Sequence, residues 1–345
     1  MTAPVRIAVL GAGAIGRRHV EHVLAEPNAS LSAIADPAPA SHELARNAGV
    51  PWYLDFATLL AAGKPDGVII ATPNTLHVEH GLAAVAAGIP ALIEKPIAHN
   101  VQAGTTLVEA AEAARVPLLV GHHRRHNPMI PRAKATIDGG RLGQLVAVHA
   151  FFWLMKPDDY FVPAWRREKG AGPVLINLIH DIDLLRYLCG EIDGVQAQAS
   201  NAQRGHAVED SAAILLRFKN GALGTVTASD SAVAPWSWEQ TTGENPAYPH
   251  TEESCYFIGG THGSLTVPKL EVWSNKEKRG WFEPFVVERS GFSQDDPLRL
   301  QLQHFCRVIR GTEPPLVSGR EGLKTLAVID VIKRATASGG LVRLD

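Results

Sequence analysis

Over the first third of the chain, apolar residues fall in short runs, interrupted only by Arg6 and Ser32, rather than in strict alternation. Residues 5–10, 31–35, 67–71, 91–93 and 117–120 are such runs. Between the later ones lie stretches of helical spacing: 76–87, rich in alanine and stopped by Gly88, and 101–114. Repeated strand–helix–strand of this kind predicts a parallel sheet with helices on both faces. After residue 121 the texture changes. A helix is expected over 128–139, then strands over 144–153, 195–201, 211–218, 222–229 and 254–258. The turn Lys219-Asn220-Gly221-Ala222 separates two of them. Strands following one another without helices predict an antiparallel sheet. A strongly apolar helix over 174–188 follows Gly170-Ala171-Gly172-Pro173, and helices over 296–310 and 319–338 close the chain. The expected fold is therefore α/β. A doubly wound parallel-sheet domain (1–121) precedes an α/β domain with an open, mostly antiparallel sheet (122–345), whose last helices can pack back on the first. Residues 232–253 are rich in Pro, Gly and aromatics and too long for a simple hairpin, so they read either as a binding loop or lid or as a disordered excursion.

Composition narrows the class. The chain has 345 residues, 46% apolar and 20% charged, with a formal net charge of -2. That is ordinary for a globular protein of about two domains. No basic stripe is visible, so nucleic acid and anionic membrane are poor partners. Cys189, Cys255 and Cys306 are odd in number and far apart, which argues for buried thiols rather than disulfides or zinc. No apolar run is long enough to span a bilayer, and the N-terminus lacks a signal-type stretch. A cytoplasmic protein is expected.

The run at 5–10 feeds directly into Gly11-Ala12-Gly13-Ala14-Ile15-Gly16. A strand leading into GxGxxG is a dinucleotide-binding fingerprint: Gly11 allows the tight turn, Gly13 lets a pyrophosphate approach the backbone, and Gly16 lets the helix pack closely. The run at 31–35 ends in Asp36, whose carboxylate suits the two ribose hydroxyls of an adenosine and repels a 2′-phosphate. No Arg or Lys follows in Pro37-Ala38-Pro39-Ala40. NAD is expected over NADP.

Ligands of such sheets collect where the strands end. One strand ends in Thr72-Pro73-Asn74 with His77 a turn later, the next in Glu94-Lys95-Pro96, and the last in Gly121-His122-His123-Arg124-Arg125-His126. Pro96 disfavours helical geometry at Lys95. Its ammonium suits a developing alkoxide, and a solvated surface lysine is the competing reading. In the second domain, Asn177 and His180 stand three apart on the apolar helix, on one face. A neutral imidazole is a proton acceptor near physiological pH, while a lone buried histidine is more often a satisfied core residue.

The ordered set GAGAIGRRH, Thr72-Pro73-Asn74 with His77, Glu94-Lys95-Pro96, and His180 after a Gly-rich loop resembles the Gfo/Idh/MocA family of nicotinamide-dependent oxidoreductases. The likeness covers nearly the whole chain, to Val317-Ser318-Gly319-Arg320-Glu321-Gly322. It implies a Rossmann domain and a second domain whose open sheet makes homodimer or homotetramer contacts. It implies hydride exchange between NAD and a secondary alcohol or carbonyl of a sugar, sugar derivative or cyclic polyol. By that likeness Lys95 contacts substrate and nicotinamide, and His180 is the acid/base. The cofactor is then expected against Gly11, Gly13, Ala14, Ile15, Gly16, Asp36, Thr72, Pro73, Asn74, His77, Glu94, Lys95 and Arg125. The substrate is expected against Asn177, Arg124, Trp165, Arg166, Trp236 and Tyr248. Arg124 and Arg125 also suit a surface ion pair, and the aromatics of 232–253 equally suit loop packing. Family members commonly carry Asp four residues before the histidine; this chain has Ile176 there and Asn177 next. Alternative activities are a dihydrodiol dehydrogenase, an NAD-retaining glycosidase and a non-catalytic nucleotide sensor. Retention of both Lys95 and His180 disfavours the sensor. No clustered set has metal-ligand spacing, and His122, His123 and His126 read as crevice wall.

Overall fold

The computed structural model describes residues 3–344. It contains two compact units, Met1–His126 with Asp296–Leu326, and Asn127–Asp295 with the chain from Ala327 on.

In the first unit, β1 (Val5–Leu10), β2 (Ala29–Ala35), β3 (Trp52–Tyr53), β4 (Gly67–Ile70), β5 (Ala91–Ile93) and β6 (Leu118–Val120) form one sheet. Its order is β3-β2-β1-β4-β5-β6 and every pairing is parallel. The runs are apolar on both faces, apart from Arg6 in β1 and Ser30 and Ser32 in β2, because both faces are covered. One face packs against Leu302, Phe305, Cys306 and Val308 of the helix Pro297–Ile309, which also meets Val20 and Val23. The other packs against Leu107, Val108 and Ala111 of the helix Val101–Ala114. The strand order reverses between β1 and β4, which places a ligand crevice at their carboxyl ends. Two helices beyond the sequence expectation, Pro39–Ala48 and Phe56–Ala62, sit on either side of the short β3. Both are short, and the second relies on a capping box between Asp55 and Thr58 rather than on a long apolar stripe.

The second unit is built on β7 (Leu145–Trp153), β8 (Ile192–Ser200), β9 (Ser211–Phe218), β10 (Leu223–Ser229), β11 (Tyr256–Gly260), β12 (Gly263–Val267), β13 (Glu271–Asn275), β14 (Phe285–Arg289) and β15 (Val342–Arg343). The order is β14-β13-β12-β11-β7-β10-β9-β8-β15. All neighbours are antiparallel except β7 and β10, which run parallel. A helix between β7 and β8 returns the chain, so β8 starts in the direction of β7 and the hairpins that follow leave β10 parallel to it.

That helix corrects the single element expected over 174–188. It is two helices, Pro173–Ile176 and Leu178–Cys189, broken at Asn177 (φ -109°, ψ -56°). The first begins at Gly172, in positive φ (89°), where a Cβ would lie 2.4 Å from a Glu209 carboxylate oxygen. Glu209 in turn accepts from the Val174 amide at 3.1 Å, satisfying one free donor of the short helix. Leu178–Cys189 is buried except at Tyr187, with Ile179, Ile182 and Leu185 in one core with Ile214, Val226 and Tyr256 of the sheet, and it also buries His180, Asp181, Asp183 and Arg186. Residues 232–253 are ordered. Ser237 caps the helix Trp238–Thr241, and the buried Trp238 donates to Glu244 Oε2 at 3.0 Å, as does Asn127 Nδ2.

Candidate functional site

In the first unit the glycine turn is sterically specified. Gly11 has φ 85°, and a Cβ there would lie 2.5 Å from the Ala71 carbonyl oxygen. At Gly16 a Cβ would lie 1.9 Å from the Gly11 carbonyl oxygen, so the helix Ala14–Ala25 can sit this close only without a side chain. Gly13 is different: nothing lies within 4 Å of where its Cβ would stand. It also caps the helix without any side-chain hydrogen bond. The turn therefore leaves open backbone at a positive helix end, which fits the pyrophosphate of a dinucleotide. Asp36 is locked beside it. Its Oδ2 accepts from the Ala12 amide at 2.6 Å and its Oδ1 from Ala38 at 2.7 Å. Among the described residues no basic side chain is hydrogen-bonded to it, and its carboxylate fits ribose hydroxyls.

Two further strand ends are tied together by His77, at the start of the helix His77–Ala86. Its Nδ1 faces the Pro96 carbonyl and its Nε2 the Thr72 carbonyl, both at 2.8 Å. Burial lowers its pKa against the pull of these two carbonyls. Pro73 is exposed, and Asn74 opens the 3₁₀ turn Asn74–Leu76. Beneath lies a buried ion pair: His19 Nε2 and Glu94 Oε1 are 2.7 Å apart. Burial alone would push the Glu94 carboxyl up. The hydrogen bond and charge of His19, helped by His123 and Lys95, overcome it and hold the group at about 2. The other Glu94 oxygen accepts from the Lys95 amide at 3.3 Å. A Cβ at Gly121 would lie 2.8 Å from that same oxygen, so glycine is required for the carboxylate to fit. Lys95 is half-buried, and the Lys95–Pro96 peptide is cis.

Arg124 and Arg125 are buried, the latter 3.3 Å from Glu321 Oε2. His126 is pushed down to about 3 by burial and by the nearby charges of His304, His123, Arg307 and Arg125. It is neutral at physiological pH. Among the described residues no group of three or more His, Cys, Asp or Glu is placed to hold a metal ion.

In the second unit, Asn177 stands at the helix break and His180 one turn into Leu178–Cys189, with the His180 amide donating to the Asn177 carbonyl at 3.1 Å. His180 is buried and Asn177 half-buried. The next residue, Asp181, accepts from the Tyr256 hydroxyl. Asn177 is joined by Lys156, a residue the sequence reading passed over. Lys156 Nζ donates to Asn177 Oδ1 at 2.8 Å and lies 3.7 Å from Asp230 Oδ2. Burial lowers the Lys156 pKa, against Asp230 and Glu239, which raise it. Burial also raises the Asp230 pKa, against Lys156 and Arg204. The Lys156 ammonium sits 4.8 Å from the Tyr160 ring centre, and the Arg166 guanidinium 4.1 Å from the same ring. The signal was present: Lys156-Pro157 just after β7 repeats the pattern of Lys95-Pro96 just after β5.

The structure thus brings Asn177 and Arg166 into one neighbourhood with Lys156 and Tyr160. Trp165 is 56% exposed beside Arg166. Trp236 packs on Phe151 and Trp153, with ring centres 5.8 and 5.5 Å away, and Tyr248 lies at the loop surface.

Comparison with known proteins agrees with this geometry. Residues 5–122 match the Gfo/Idh/MocA oxidoreductase family, NAD-binding Rossmann fold, and residues 130–266 the GFO/IDH/MocA C-terminal domain. The chain belongs to the Gfo/Idh/MocA family. It is an NAD-binding oxidoreductase of that family. The rhizopine catabolism protein MocA of Rhizobium meliloti is 30% identical over 64% of this chain and 70% of its own length. The scyllo-inositol 2-dehydrogenase (NAD(+)) of Bacillus subtilis is 27% identical over 100% of this chain and 98% of its own. Among solved structures, an oxidoreductase from Agrobacterium radiobacter in complex with NAD+, L-tartaric acid and magnesium superposes with TM-score 0.84 at 23% identity, covering 99% of this chain and 98% of that one. Levoglucosan dehydrogenase with NADH and levoglucosan gives 0.81 at 23% identity, covering 99% of each. These two show that the fold is shared.

Proposed function

We propose that the chain oxidises a secondary alcohol, or reduces the matching carbonyl, of a sugar, sugar derivative or cyclic polyol, using NAD in preference to NADP. The observation that supports this most is that family membership spans both units while each unit keeps its chemical residue. Lys95 follows β5 in the first, and His180 stands on a buried helix in the second. When bound, NAD supplies the hydride-accepting ring. In this reading His180 takes the hydroxyl proton at its imidazole. The Lys95 ammonium is a donor suited to a substrate oxygen on which negative charge grows. His19 and Glu94 hold the Lys95 backbone, and His77 holds the two flanking loops. Asp36 carries the cofactor preference, because a carboxylate repels a 2′-phosphate. Arg125 is assigned to the cofactor and Arg124 to the substrate.

The open face of the second unit's sheet supports assembly with further copies of the chain. Leu215, Leu223 and Phe257 are 52%, 62% and 41% exposed on it. With His149, Thr225 and Thr266 they line a groove of about 640 Å³. A cytoplasmic setting suits Cys189, Cys255 and Cys306, which are buried and form no disulfide among the described residues.

The test is nicotinamide absorbance with NAD and NADP separately, across aldoses, inositols, sugar acids, glycosides and dihydrodiols. Turnover with NAD on one sugar or polyol class is expected, abolished in Lys95→Met and reduced about 10²–10⁴-fold in His180→Ala. NAD that stays bound through purification with no net reduction on any of these would overturn the dehydrogenase reading.

A further inference from the structure

Lys156 is 7% exposed, yet among the described residues its ammonium makes one hydrogen bond shorter than 3 Å, to the neutral oxygen of Asn177. Its nearest carboxylate, Asp230, turns Oδ2 toward it at 3.7 Å, a long ion pair, while its Oδ1 accepts from Arg204 at 2.9 Å. Arg204 also donates to the Lys156 carbonyl at 2.7 Å. Glu239 contributes charge but not a hydrogen bond to the lysine. An ammonium has three donors and no acceptor, so a buried one with a single good bond is costly unless another acceptor comes to it. A second cation stands on the far side of the same aromatic residue in sequence. The Arg166 guanidinium packs on the Tyr160 ring and donates through Nη1 to the Tyr160 carbonyl at 2.6 Å. Its Nε is buried and meets no acceptor among the described residues.

Asn177 completes the corner. Lysine can only donate, so the amide oxygen must face Lys156 and the amide nitrogen must face away from it. Asn177 is half-buried, and among the described residues that NH₂ has no hydrogen-bond partner. Lys156 and Arg166 both lie against the Tyr160 ring, and Lys156 links that pair to Asn177 at the break before His180. Nothing in the trio offers an acceptor. A neutral polyol presents as many donors as acceptors, and its donors find no acceptor in this trio. A carboxylate is acceptor-only and gains charge-assisted bonds from each.

We propose that Lys156, Arg166 and Asn177 form a carboxylate-binding subsite, which makes Lys156 a specificity-determining residue and the substrate a sugar acid. This rests on the dehydrogenase reading above, deepening it from sugars in general to acidic ones.

The experiment compares matched pairs, D-glucuronate with D-glucose and D-galacturonate with D-galactose, with D-gluconate and myo-inositol as further probes. NAD reduction is followed beside calorimetric titration of each compound into NAD-loaded enzyme. The variants are Lys156→Met, Lys156→Arg and Arg166→Gln, each checked by thermal melting. An acid is expected to exceed its neutral partner in kcat/KM by at least roughly tenfold. Lys156→Met should raise KM for the acid roughly 10- to 100-fold with a smaller change in kcat, and leave the neutral partner within about threefold. Lys156→Arg should restore part of the loss, and Arg166→Gln should raise KM more for the acid than for its neutral partner. Turnover of neutral compounds with the acids inert would overturn the subsite and keep the dehydrogenase. Equal losses on acid and neutral partners would assign Lys156 a structural role and overturn the subsite as well. Acid binding that Lys156→Met abolishes, without hydride transfer in any protein, would uphold the subsite and overturn the dehydrogenase.

Discussion

At the scale of single residues, the first unit concentrates its electrostatics in the pair His19–Glu94. Both side chains are almost fully enclosed, so neither is stable as a lone charge. The Glu94 carboxyl is held at about 2 against an ordinary 4.5. A carboxyl depressed in the folded state contributes stability that is complete above pH about 4.5 and is lost as pH falls toward 2. The difference corresponds to about 3 kcal/mol. Urea unfolding from pH 6 down to 2.5 should show the wild type losing stability through this window more steeply than Glu94→Gln. Parallel pH curves for the two would show that the pair carries no such linkage. Because Glu94 also receives the Lys95 amide, the same variant should lower turnover even at neutral pH, where the fold is intact.

At the scale of elements, the glycine turn separates two jobs that the motif combines. Gly13 faces open space and Gly16 faces a carbonyl oxygen 1.9 Å from its missing Cβ. Gly13→Val should therefore fold with a melting temperature near that of the wild type while raising the NAD dissociation constant at least roughly tenfold. Gly16→Ala should cost roughly 1–3 kcal/mol by overpacking and lower the melting temperature by several degrees. Calorimetry and NAD titration on both proteins check this, and a Gly13→Val enzyme with unchanged NAD affinity would refute it. The break at Asn177 is a second element-scale device. The short helix Pro173–Ile176 and the long helix Leu178–Cys189 meet at Asn177, whose amide donates to the Pro173 carbonyl, whose carbonyl accepts from His180, and whose side chain reaches Lys156. In one continuous helix, Asn177 and His180 would simply share a face.

At the scale of the whole molecule, the second unit's sheet is finished on one side only. Its inner face, with Ile214, Leu216, Val226 and Ile258, is covered by Leu178–Cys189 and its neighbours. Its outer face shows Leu215, Leu223 and Phe257 to solvent. Apolar area of this kind marks an interaction surface. Analytical ultracentrifugation should find a multiple of the 37.1 kDa chain. Leu215→Glu with Leu223→Glu should return the single-chain mass, because a carboxylate in an apolar interface is strongly unfavourable. A wild-type protein sedimenting as one chain would remove this face as an interface.

Much of the architecture follows from local pattern. The apolar runs 5–10 and 91–93, the glycine turn and the helix Val101–Ala114 are specified by neighbours within a few residues of each other, and composition and spacing express such short-range constraints directly. The strands β12 to β15 were not legible, being short, mixed in polarity or exposed. Nor was the parallel pairing of β7 with β10, which depends on where an intervening helix returns the chain. For the candidate site, GxGxxG, Asp36, Lys95 and His180 could be named from motif and order alone. What only the tertiary structure decided is which distant groups meet. Glu94 finds His19 across 75 residues of chain and Lys156 finds Asn177 across 21. Such contacts come from packing strands and helices against each other in three dimensions, and no periodicity along the chain records them.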